Sequence, residues 1–529
     1  MTPEERAFAA ARREGGSSHP DAVRRLSWLR IAGFILLLVA GSAAVVGFRT
    51  ASHTTQVAAP VSSFMPYVDV TATPQYPFED ASKAISANLV LGFVVSSKAD
   101  ACEPSWGASY SLDQAASTMD LDRRIARLRQ RGGQVMVSFG GAANSELAIG
   151  CADTGNLAAA YRAVVDRYSV NAVDLDIEGT DASTGEVSTR RAEAIRSLQL
   201  ARERSGHHLA VWLTLPVTPS GLTASGQAVL GAMLQAKVDL AGVNAMTMDY
   251  GSSLAGQSLA DANRSALTAV ADQLVDAYRV AGVHLSSAQA WQRVGATPMI
   301  GQNDVAAERF GLDDAKSLLA FAQTHHLRRL SMWSVNRDQA CGPNYANVSI
   351  VSVNCSGIDQ KAAAFTRIFV PFTAGAVAPP ASPSPSTSLD SGAAAPVATQ
   401  IVDDPATSPY AIWNPTLPYA QGTKIVWRHN VYQAKWWTQG DQPDTPVTSA
   451  FETPWTLIGP VLPGEHPQPT PTLSAGTYPA WSATTTYRAG ARVLYDGVGY
   501  QAKWFTQGEV PGIVVADPGQ TPWQLIKHS

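Results

Sequence analysis

The chain has 529 residues, too many for a single hydrophobic core and enough for about two to four domains. Its 39 basic and 43 acidic residues give a net charge of −4 without a long basic run, which argues against a nucleic-acid-binding protein. Charged residues make up only 16% of the chain, and its 13 Trp residues cluster late in the sequence.

The N-terminal region contains an uncharged segment, residues 31–48, that is rich in Leu, Ile, Val and Ala. Its 18 residues are near the lower limit for a transmembrane helix. Because Arg residues precede it, residues 1–30 are predicted to be a cytoplasmic leader and the rest of the chain to lie outside the cell. A cleaved signal peptide is the alternative, with small residues near Val57 as a cleavage site. The long leader and long apolar segment favour an uncleaved membrane anchor.

Residues 63–374 alternate short apolar runs with stretches of helical spacing. Runs with strand character occur at 65–70, 88–95, 133–139, 171–178, 208–215, 240–248, 296–302 and 329–334, and helical spacing occurs at 121–131, 157–168 and 192–204. Strands and helices that alternate in this way predict an α/β fold, a (β/α)8 TIM barrel. A doubly wound open sheet is disfavoured because no glycine-rich nucleotide fingerprint follows an early strand.

The fourth run, 171–178, reads Asn-Ala-Val-Asp-Leu-Asp-Ile-Glu and places Asp174, Asp176 and Glu178 at alternate positions. Because the side-chain period of a strand is two, the three carboxyl groups share one face. Like charges so close together raise the pKa of at least one carboxyl group, which is what a general acid needs near neutral pH. An edge strand with a solvated acidic face is the alternative, and the neighbouring apolar residues disfavour it.

The chain has four Cys residues and no Cys or His spacing that indicates a metal site, so neither a metal nor a cofactor is predicted. In an oxidising compartment the four thiols allow three connectivities. Pairing of Cys102 with Cys151 and of Cys341 with Cys355 is favoured because both bridges would close loops. Four free thiols are the alternative, which export would disfavour.

The C-terminal part of the chain repeats itself at an offset of 68 residues. Tyr-Gln-Ala-Lys-Trp-Trp-Thr-Gln-Gly at 432–440 returns as Tyr-Gln-Ala-Lys-Trp-Phe-Thr-Gln-Gly at 500–508. Stretches rich in Pro precede and separate the two copies and predict linkers. The predicted bounds are 375–409 for the first linker, 410–459 and 478–527 for two small all-β modules, and 460–477 for the linker between them.

A module of this size cannot bury all of its large aromatic side chains, so some must form an exposed binding surface. A core position suits the repeated pairs Trp413/Trp481 and Trp455/Trp523. It suits two adjacent aromatic residues poorly, because neighbours in a strand point to opposite sides. The predicted binding residues are Trp436, Trp437, Trp504 and Phe505.

Several of these motifs resemble those of glycoside hydrolase family 18, the chitinases. The run 171–178 resembles the family's Asp-x-x-Asp-x-Asp-x-Glu signature, and Ser-Phe-Gly-Gly at 138–141 is similar to its Ser-x-Gly-Gly motif. Residues 246–250, 298–304 and 332–334 resemble the ends of its sixth, seventh and eighth strands. The repeats are similar to small chitin-binding modules of families 5 and 12.

The resemblance implies that chitin, a polymer of β-1,4-linked N-acetylglucosamine, is hydrolysed with retention by substrate-assisted catalysis. Glu178 is the implied acid and base, while Asp176 would bind the acetamido N–H and share a proton with Asp174. The other implied site residues are Tyr250 and Asp249, which would orient the acetamido group, Trp333 as the floor, Met246 and Gln302 as further substrate contacts, and Trp106 at a distant subsite. Core packing is the alternative for Trp333, and a loop-capping amide is the alternative for Gln302.

Two positions depart from the family pattern. Asn171 stands where the signature has its first Asp, and a supporting role is expected because it is out of phase with the three acids. Met248 occupies a position where many members have Tyr, and Tyr250 is expected to supply that phenol instead.

Several alternatives remain open from the sequence. One is a non-catalytic chitin-binding or adhesion protein, which the presence of Glu178 disfavours. The others are an endo-β-N-acetylglucosaminidase and a hydrolase directed at peptidoglycan. The expected partners are chitin or a related polysaccharide and, through the N-terminal segment, a membrane; no nucleic acid is expected, and the protein is expected to be an extracellular monomer.

Overall fold

The protein is described here by a computed structural model that covers residues 63–80, 86, 88–179, 183–345, 347–372, 402–449, 451–467, 473–513 and 520–526. Its largest sheet contains the parallel strands β1 (Tyr67–Asp69), β2 (Asn88–Ser96), β3 (Gln134–Gly140), β4 (Ala172–Asp176), β5 (Ala210–Thr218), β6 (Leu240–Met246), β7 (Val294–Thr297) and β8 (Arg329–Leu330). Each strand pairs with the next one along the chain.

The sheet closes on itself through the segment that leads into β1. Ser63–Phe64 pairs with β8, and the amide of Tyr67 donates to the carbonyl oxygen of Met332 at 3.1 Å. The predicted (β/α)8 barrel is therefore confirmed. The seventh run is shorter than expected, because Gly301–Gln302 leaves the barrel and pairs with Arg309–Phe310.

Helices cover the outside of the barrel. They are α1 (Leu112–Thr118), α2 (Leu121–Gln130), α3 (Leu147–Gly150), α4 (Thr154–Arg167), α5 (Gly185–Arg204), α6 (Ala224–Gln235), α7 (Leu259–Val280), α8 (Ser287–Trp291), α9 (Leu312–Thr324) and α10 (Ala364–Phe369). Several begin at a side chain that accepts from a free backbone amide, as Asp153 does for α4, Thr184 for α5 and Ser258 for α7.

Alternate residues of the strands divide the core into two layers. Val173 and Leu175 of β4 belong to the large apolar cluster between sheet and helices. Inside the barrel a smaller cluster includes Tyr67, Met136 and Trp212. The even-numbered acids of β4 share the inner side with this second cluster, so the predicted period of two places them within the barrel.

Two disulfides close loops in the barrel domain. Cys102 pairs with Cys151 across 49 residues, and Cys341 pairs with Cys355 across 14 residues. The predicted connectivity is confirmed.

The two repeats fold alike. In the first, strands run at Pro418–Tyr419, Lys424–Trp427, Asn430–Ala434, Thr438–Gln439 and Trp455–Pro460; in the second, they run at Thr486–Tyr487, Arg492–Tyr495, Val498–Ala502, Thr506–Gln507 and Trp523–Leu525. In each copy three antiparallel strands form one small sheet. We call the copies module 1 and module 2.

Module 1 packs against helix α2 of the barrel. The guanidinium of Arg123 lies 2.5 Å from Glu465, and Lys424 lies 2.7 Å from Asp120, which immediately precedes the helix. The backbones approach so closely that a Cβ at Gly459 would lie 2.7 Å from the carbonyl oxygen of Arg123. Ion pairs at this contact are largely shielded from water, so removing one partner would leave the other charge buried without compensation.

The predicted transmembrane helix is corrected by the structure. Across the described part of the chain, no helix combines the length and the apolar character needed to cross a membrane. The leader at 1–30, the segment at 31–48 and most of the linker at 375–409 lie outside those residues.

Reversing the charge of Arg123 tests the contact between module 1 and the barrel. We expect Arg123→Glu to cost about 3 kcal/mol at this contact, because it sets two carboxylates against each other in a shielded place. Hydrogen–deuterium exchange should then speed up in α2 and in Trp455–Pro460. Arg196→Glu, on the outer helix α5, is the matched control and should leave both segments unchanged. Unchanged exchange in Arg123→Glu would show that the contact does not hold module 1.

Candidate active site

The acids of β4 meet the end of strand β3 at the carboxyl-terminal edge of the barrel. Asp174 pairs with Ser138 and Asp176 with Gly140 in the strand register. Gly140 has a φ of 102°, and a Cβ there would lie 2.1 Å from the carbonyl oxygen of Asp176. Only glycine allows this approach, which explains why the first Gly of the Ser-Phe-Gly-Gly motif stands at position 140.

Asp174 is fully buried and accepts four hydrogen bonds. Tyr67 and Ser138 donate to Oδ2 at 2.8 and 2.7 Å, while Thr214 and Arg329 donate to Oδ1 at 2.7 Å each. A carboxylate offers about four lone-pair positions, so these donors occupy them all. Burial raises the pKa of the Tyr67 phenol well above its ordinary value, so Tyr67 remains a donor.

Asp176 lies two residues further along β4, on the same face of the strand as Asp174. It is 5% exposed, and its Oδ1 has no hydrogen-bond partner. Burial raises the pKa of this carboxyl well above its usual range, and the charges of Glu178 and Asp174 raise it further, while Arg329 lowers it. Asp176 therefore has a buried carboxyl oxygen that no protein group hydrogen-bonds.

Glu178 follows β4 and is half-buried. Burial, followed by the charges of Asp249 and Asp304, raises its pKa to about 7. A carboxyl with this pKa holds its proton up to neutral pH and gives it up above, which is the behaviour of a general acid and base.

Aromatic side chains form a floor inside the barrel mouth. The ring of Trp333, which follows β8, stacks on Phe93 with centroids 5.3 Å apart, and it contacts Tyr67 edge-on at 6.0 Å. Trp333 is half-buried, so one part of the indole packs in the interior cluster and another remains accessible. The role of Trp333 as the floor beneath the reacting sugar stays a prediction.

The loops after β6 and β7 are tied together beside Glu178. The carboxylate of Asp249 accepts from the amide of Val305 at 2.9 Å, and Glu308 accepts from the amides of Tyr250 and Gly251 at 3.1 and 2.7 Å. Burial raises the pKa of Asp249 despite the hydrogen bond from Val305. Met246, the last residue of β6, is half-buried and pairs with Thr297.

The structure does not bring Tyr250 and Gln302 into the site as substrate contacts. The Tyr250 hydroxyl donates to Asn263 of helix α7 at 2.7 Å, and its ring belongs to the outer core. The Gln302 amide donates to carbonyl oxygens of its own loop and accepts from Arg309 at 2.8 Å. Gln302 is therefore the loop-capping amide that the sequence allowed as an alternative.

Asn171 and Trp106 also lie away from the acids. The Asn171 side chain accepts from Arg202 of helix α5 at 2.8 Å, at the amino end of β4. Strand β4 lies between it and Glu178, so Asn171 is at the opposite end of the strand from the acid. Trp106 is fully buried, and its indole N–H donates to Tyr168, which rules out the predicted subsite role.

Five residues that the sequence left without a role surround the acids: Tyr67, Phe93, Thr214, Asn244 and Arg329. The Asn244 amide donates to Thr297 at 2.6 Å and to Thr214 at 3.0 Å, which extends the polar layer below Asp174. The sequence could have indicated Thr214 and Asn244, because each is a polar residue in an otherwise apolar strand. For the described residues, no group of three or more His, Cys, Asp or Glu side chains is arranged to hold a metal ion.

Each module exposes aromatic side chains within its own copy of the repeated motif, 432–440 in module 1 and 500–508 in module 2. Trp436 is 43% exposed, Trp504 is 41% exposed and Phe505 is 66% exposed. Trp437 is half-buried, with its indole nitrogen shielded. Trp455 and Trp523 are buried and donate to the carbonyl oxygens of Asp441 and Glu509, as their predicted core role requires.

The chain is similar to known proteins both in its C-terminal module 2 and over a stretch of more than 300 residues. The family model described as carbohydrate-binding module family 5/12 matches residues 480–524. The chain is 34% identical over 337 residues to a probable bifunctional chitinase/lysozyme of Escherichia coli (strain K12), covering 62% of this chain and 36% of that protein. It is 35% identical over 302 residues to Endochitinase 11 of Metarhizium anisopliae, covering 55% of each. The chain thus spans little more than half, or less, of the length of these relatives.

The structure is also similar to the crystal structure of the catalytic domain of a hyperthermophilic chitinase from Pyrococcus furiosus. The identity is 30% and the TM-score 0.50, with 58% of this chain and 93% of that chain covered. The similarity therefore includes nearly the whole of that catalytic domain.

Removing the charge of Asp249 tests the origin of the raised pKa of Glu178. Asp249→Asn retains the acceptor for Val305 and removes a neighbouring negative charge, so the pKa of Glu178 should fall by about half a unit. Carbon-13 NMR of the labelled Glu carboxyl groups measures this titration. Asp276→Asn, an exposed substitution on α7, should leave it unchanged. An equal pKa in Asp249→Asn and wild type would contradict the assigned electrostatic cause.

Proposed function

Because this chain belongs to glycoside hydrolase family 18, the chitinases, and carries a C-terminal carbohydrate-binding module of family 5/12, we propose that it hydrolyses β-1,4-linked N-acetylglucosamine in chitin. The observation that carries the proposal is Glu178, a half-buried carboxyl with a pKa of about 7 at the carboxyl end of a barrel strand. Asp176 lies two residues before it on the same face. No metal or cofactor is needed for this chemistry.

In the first step Glu178 protonates the glycosidic oxygen, and the bond from C1 to that oxygen breaks with its electron pair on the leaving group. The carbonyl oxygen of the substrate's own 2-acetamido group bonds to C1 and forms an oxazolinium ion. We assign Asp176, whose Oδ1 has no hydrogen-bond partner in the protein, to accept the acetamido N–H and to stabilise the positive charge.

In the second step the Glu178 carboxylate takes a proton from water. The water oxygen bonds to C1, and the bond from C1 to the acetamido oxygen breaks. Two successive displacements at C1 give a product with the original anomeric configuration. The same carboxyl thus serves first as acid and then as base.

The apolar floor supports the reacting sugar. We assign Trp333 to the face of the ring at which the acids do not act, with Phe93 stacked beneath it. Asp249 and Met246 lie on the rim and are assigned to the acetamido side. We assign no substrate contact to Tyr250 or Gln302, because both side chains are engaged elsewhere.

The modules are assigned to the insoluble substrate. Flat aromatic faces stack on sugar rings with little loss of conformational entropy, and two linked modules raise the effective concentration at a surface. Trp436 and Trp437 are proposed as the binding residues of module 1, and Trp504 and Phe505 as those of module 2. All four cysteines are paired in two disulfides and chitin is an extracellular polymer, so we propose extracellular action by a monomer.

Peptidoglycan is a second candidate substrate. The Escherichia coli relative is named a probable bifunctional chitinase/lysozyme, and peptidoglycan also contains β-1,4-linked N-acetylglucosamine. Parallel assays on chitin hexamer, peptidoglycan and a high-mannose glycopeptide separate chitinase, lysozyme and endo-β-N-acetylglucosaminidase activity. We expect the highest kcat/KM on chitin hexamer.

Substituting Glu178 by Gln tests the acid. We expect the rate of chitin hexamer hydrolysis to fall by about 10³-fold or more, because the amide has no proton to give, while chitin pull-down stays intact. Glu186→Gln, an exposed position on α5, is the matched control and should retain full activity. Substantial activity in Glu178→Gln would mean that another group is the acid.

Substituting Trp504 by Ala tests the binding face of module 2. We expect the fraction of protein retained on insoluble chitin to fall several-fold, because one stacking contact of about 1–2 kcal/mol is lost. Hydrolysis of the soluble hexamer should not change. Leu525→Ala, another exposed apolar position of the same module, is the control, and equal losses in both variants would contradict a specific aromatic face.

A further inference from the structure

A lysine lies over the exposed tryptophan of each module. The ammonium of Lys435 is 5.3 Å from the centroid of the Trp436 ring, and that of Lys503 is 4.7 Å from the centroid of the Trp504 ring. The two indoles are exposed to nearly the same extent, 43% and 41%. The same pairing of a cation with an exposed aromatic ring therefore occurs twice in the chain, at equivalent positions of the repeat.

The main chain holds each lysine in this place. The backbone amide of Lys435 donates to the carbonyl oxygen of Pro454, and that of Lys503 donates to the carbonyl oxygen of Pro522, at 2.7 Å in both modules. A cation within about 6 Å of the centroid of an indole is attracted to the face of the ring. Because an indole has two faces, an ammonium over one of them leaves the opposite face for a flat ligand.

The first acid after each motif has a different partner. Asp441 and Glu509 each follow the lysine by six residues, and each accepts a hydrogen bond from a threonine hydroxyl. Of the described charged side chains in 432–441 and 500–509, the lysine is the one that lies over the indole. A ligand stacked on the ring therefore meets a positive charge close by.

A sugar stacked on the open face of the indole lies about 4 Å from the ring, so its C2 substituent is about 9 Å from the ammonium. An N-acetylglucosamine unit carries a neutral acetamido group at C2, whereas a deacetylated unit carries a protonated amine at about pH 5. Two like charges about 9 Å apart repel strongly enough, even at the dielectric constant of water, to lower the affinity about twofold.

We propose that Lys435 and Lys503 determine specificity, because they make the two modules bind N-acetylated glucosamine polymers in preference to deacetylated, cationic ones. This inference rests on the proposed function, since it concerns the same binding faces, and it narrows the ligand to acetylated stretches of the polymer. The net charge of the whole chain, −4, would by itself favour a cationic polymer. The discrimination therefore comes from the position of two lysines and not from the overall charge.

The test compares retention of the full chain on cross-linked chitosan beads and on the same beads after re-N-acetylation, at about pH 5 and low ionic strength. Wild type should favour the acetylated beads. Replacing both lysines, in Lys435→Met/Lys503→Met, keeps an unbranched side chain over each indole and removes both charges. The ratio of retention should then shift towards the chitosan beads by about fivefold, with retention on the acetylated beads nearly unchanged. Salt at about 1 M, where the Debye length is about 3 Å, should abolish the difference between the two proteins.

Two further variants separate the charge over the indole from charge in general. Lys503→Arg keeps the charge and should retain the wild-type ratio, whereas Lys503→Met should shift it about twofold. Arg492→Met removes another exposed cation of module 2, which lies 5.8 Å from the centroid of the Tyr478 ring, and should leave the ratio unchanged. An equal ratio in wild type and the double Met variant would overturn the proposal, as would equal shifts in Arg492→Met and Lys503→Met.

Retention is measured without hydrolysis, so the inference and the proposed activity can fail separately. A wild-type chain that is not retained on the acetylated beads would refute the role assigned to the modules and this inference with it. A chain that is retained but does not hydrolyse chitin would refute the proposed activity and leave the retention ratios to decide the role of the lysines.

Discussion

Electrostatic repulsion among three carboxyl groups, two on the inner face of β4 and one just after it, is the constraint around which the barrel interior is organised. Residues two apart on a strand lie about 7 Å apart, and two unit charges at that distance repel by about 2 kcal/mol at an effective dielectric constant of 20. Burial adds a larger cost to each charge. The protein meets these costs differently for each acid: Asp174 is paired with Arg329, whereas Asp176 and Glu178 keep raised pKa values.

The result is three different environments for the three acids. Asp174, deepest in the barrel, is surrounded by donors from four other strands. Asp176 is buried with one free oxygen, and Glu178, at the mouth, has a pKa of about 7. Each environment suits a different task, and the same scaffold provides all three because parallel strands bring distant parts of the chain to one end of the barrel.

The sequence predicted the parts of the site that depend on local pattern. Alternation along 171–178 was sufficient to place three acids on one inward face. Arg329 was missed because its meaning depends on an acid 155 residues away in the chain, and an Arg at the start of a strand resembles a surface residue. Tyr250 was misplaced because Asp249 has left-handed backbone, with a φ of 53°, which interrupts the alternation that would have aimed the phenol inwards. Gln302 turned away because its segment leaves the barrel for a short hairpin.

If the substrate's acetamido group is the nucleophile and Glu178 is the acid, hydrolysis must retain the anomeric configuration. Proton NMR of the products formed in the first minutes of chitin hexamer hydrolysis measures the anomeric configuration before mutarotation. We expect the new reducing ends to appear as the β anomer, and we expect a fully deacetylated hexamer to remain uncleaved. Initial formation of the α anomer, or cleavage of the deacetylated hexamer at a comparable rate, would contradict the proposed mechanism.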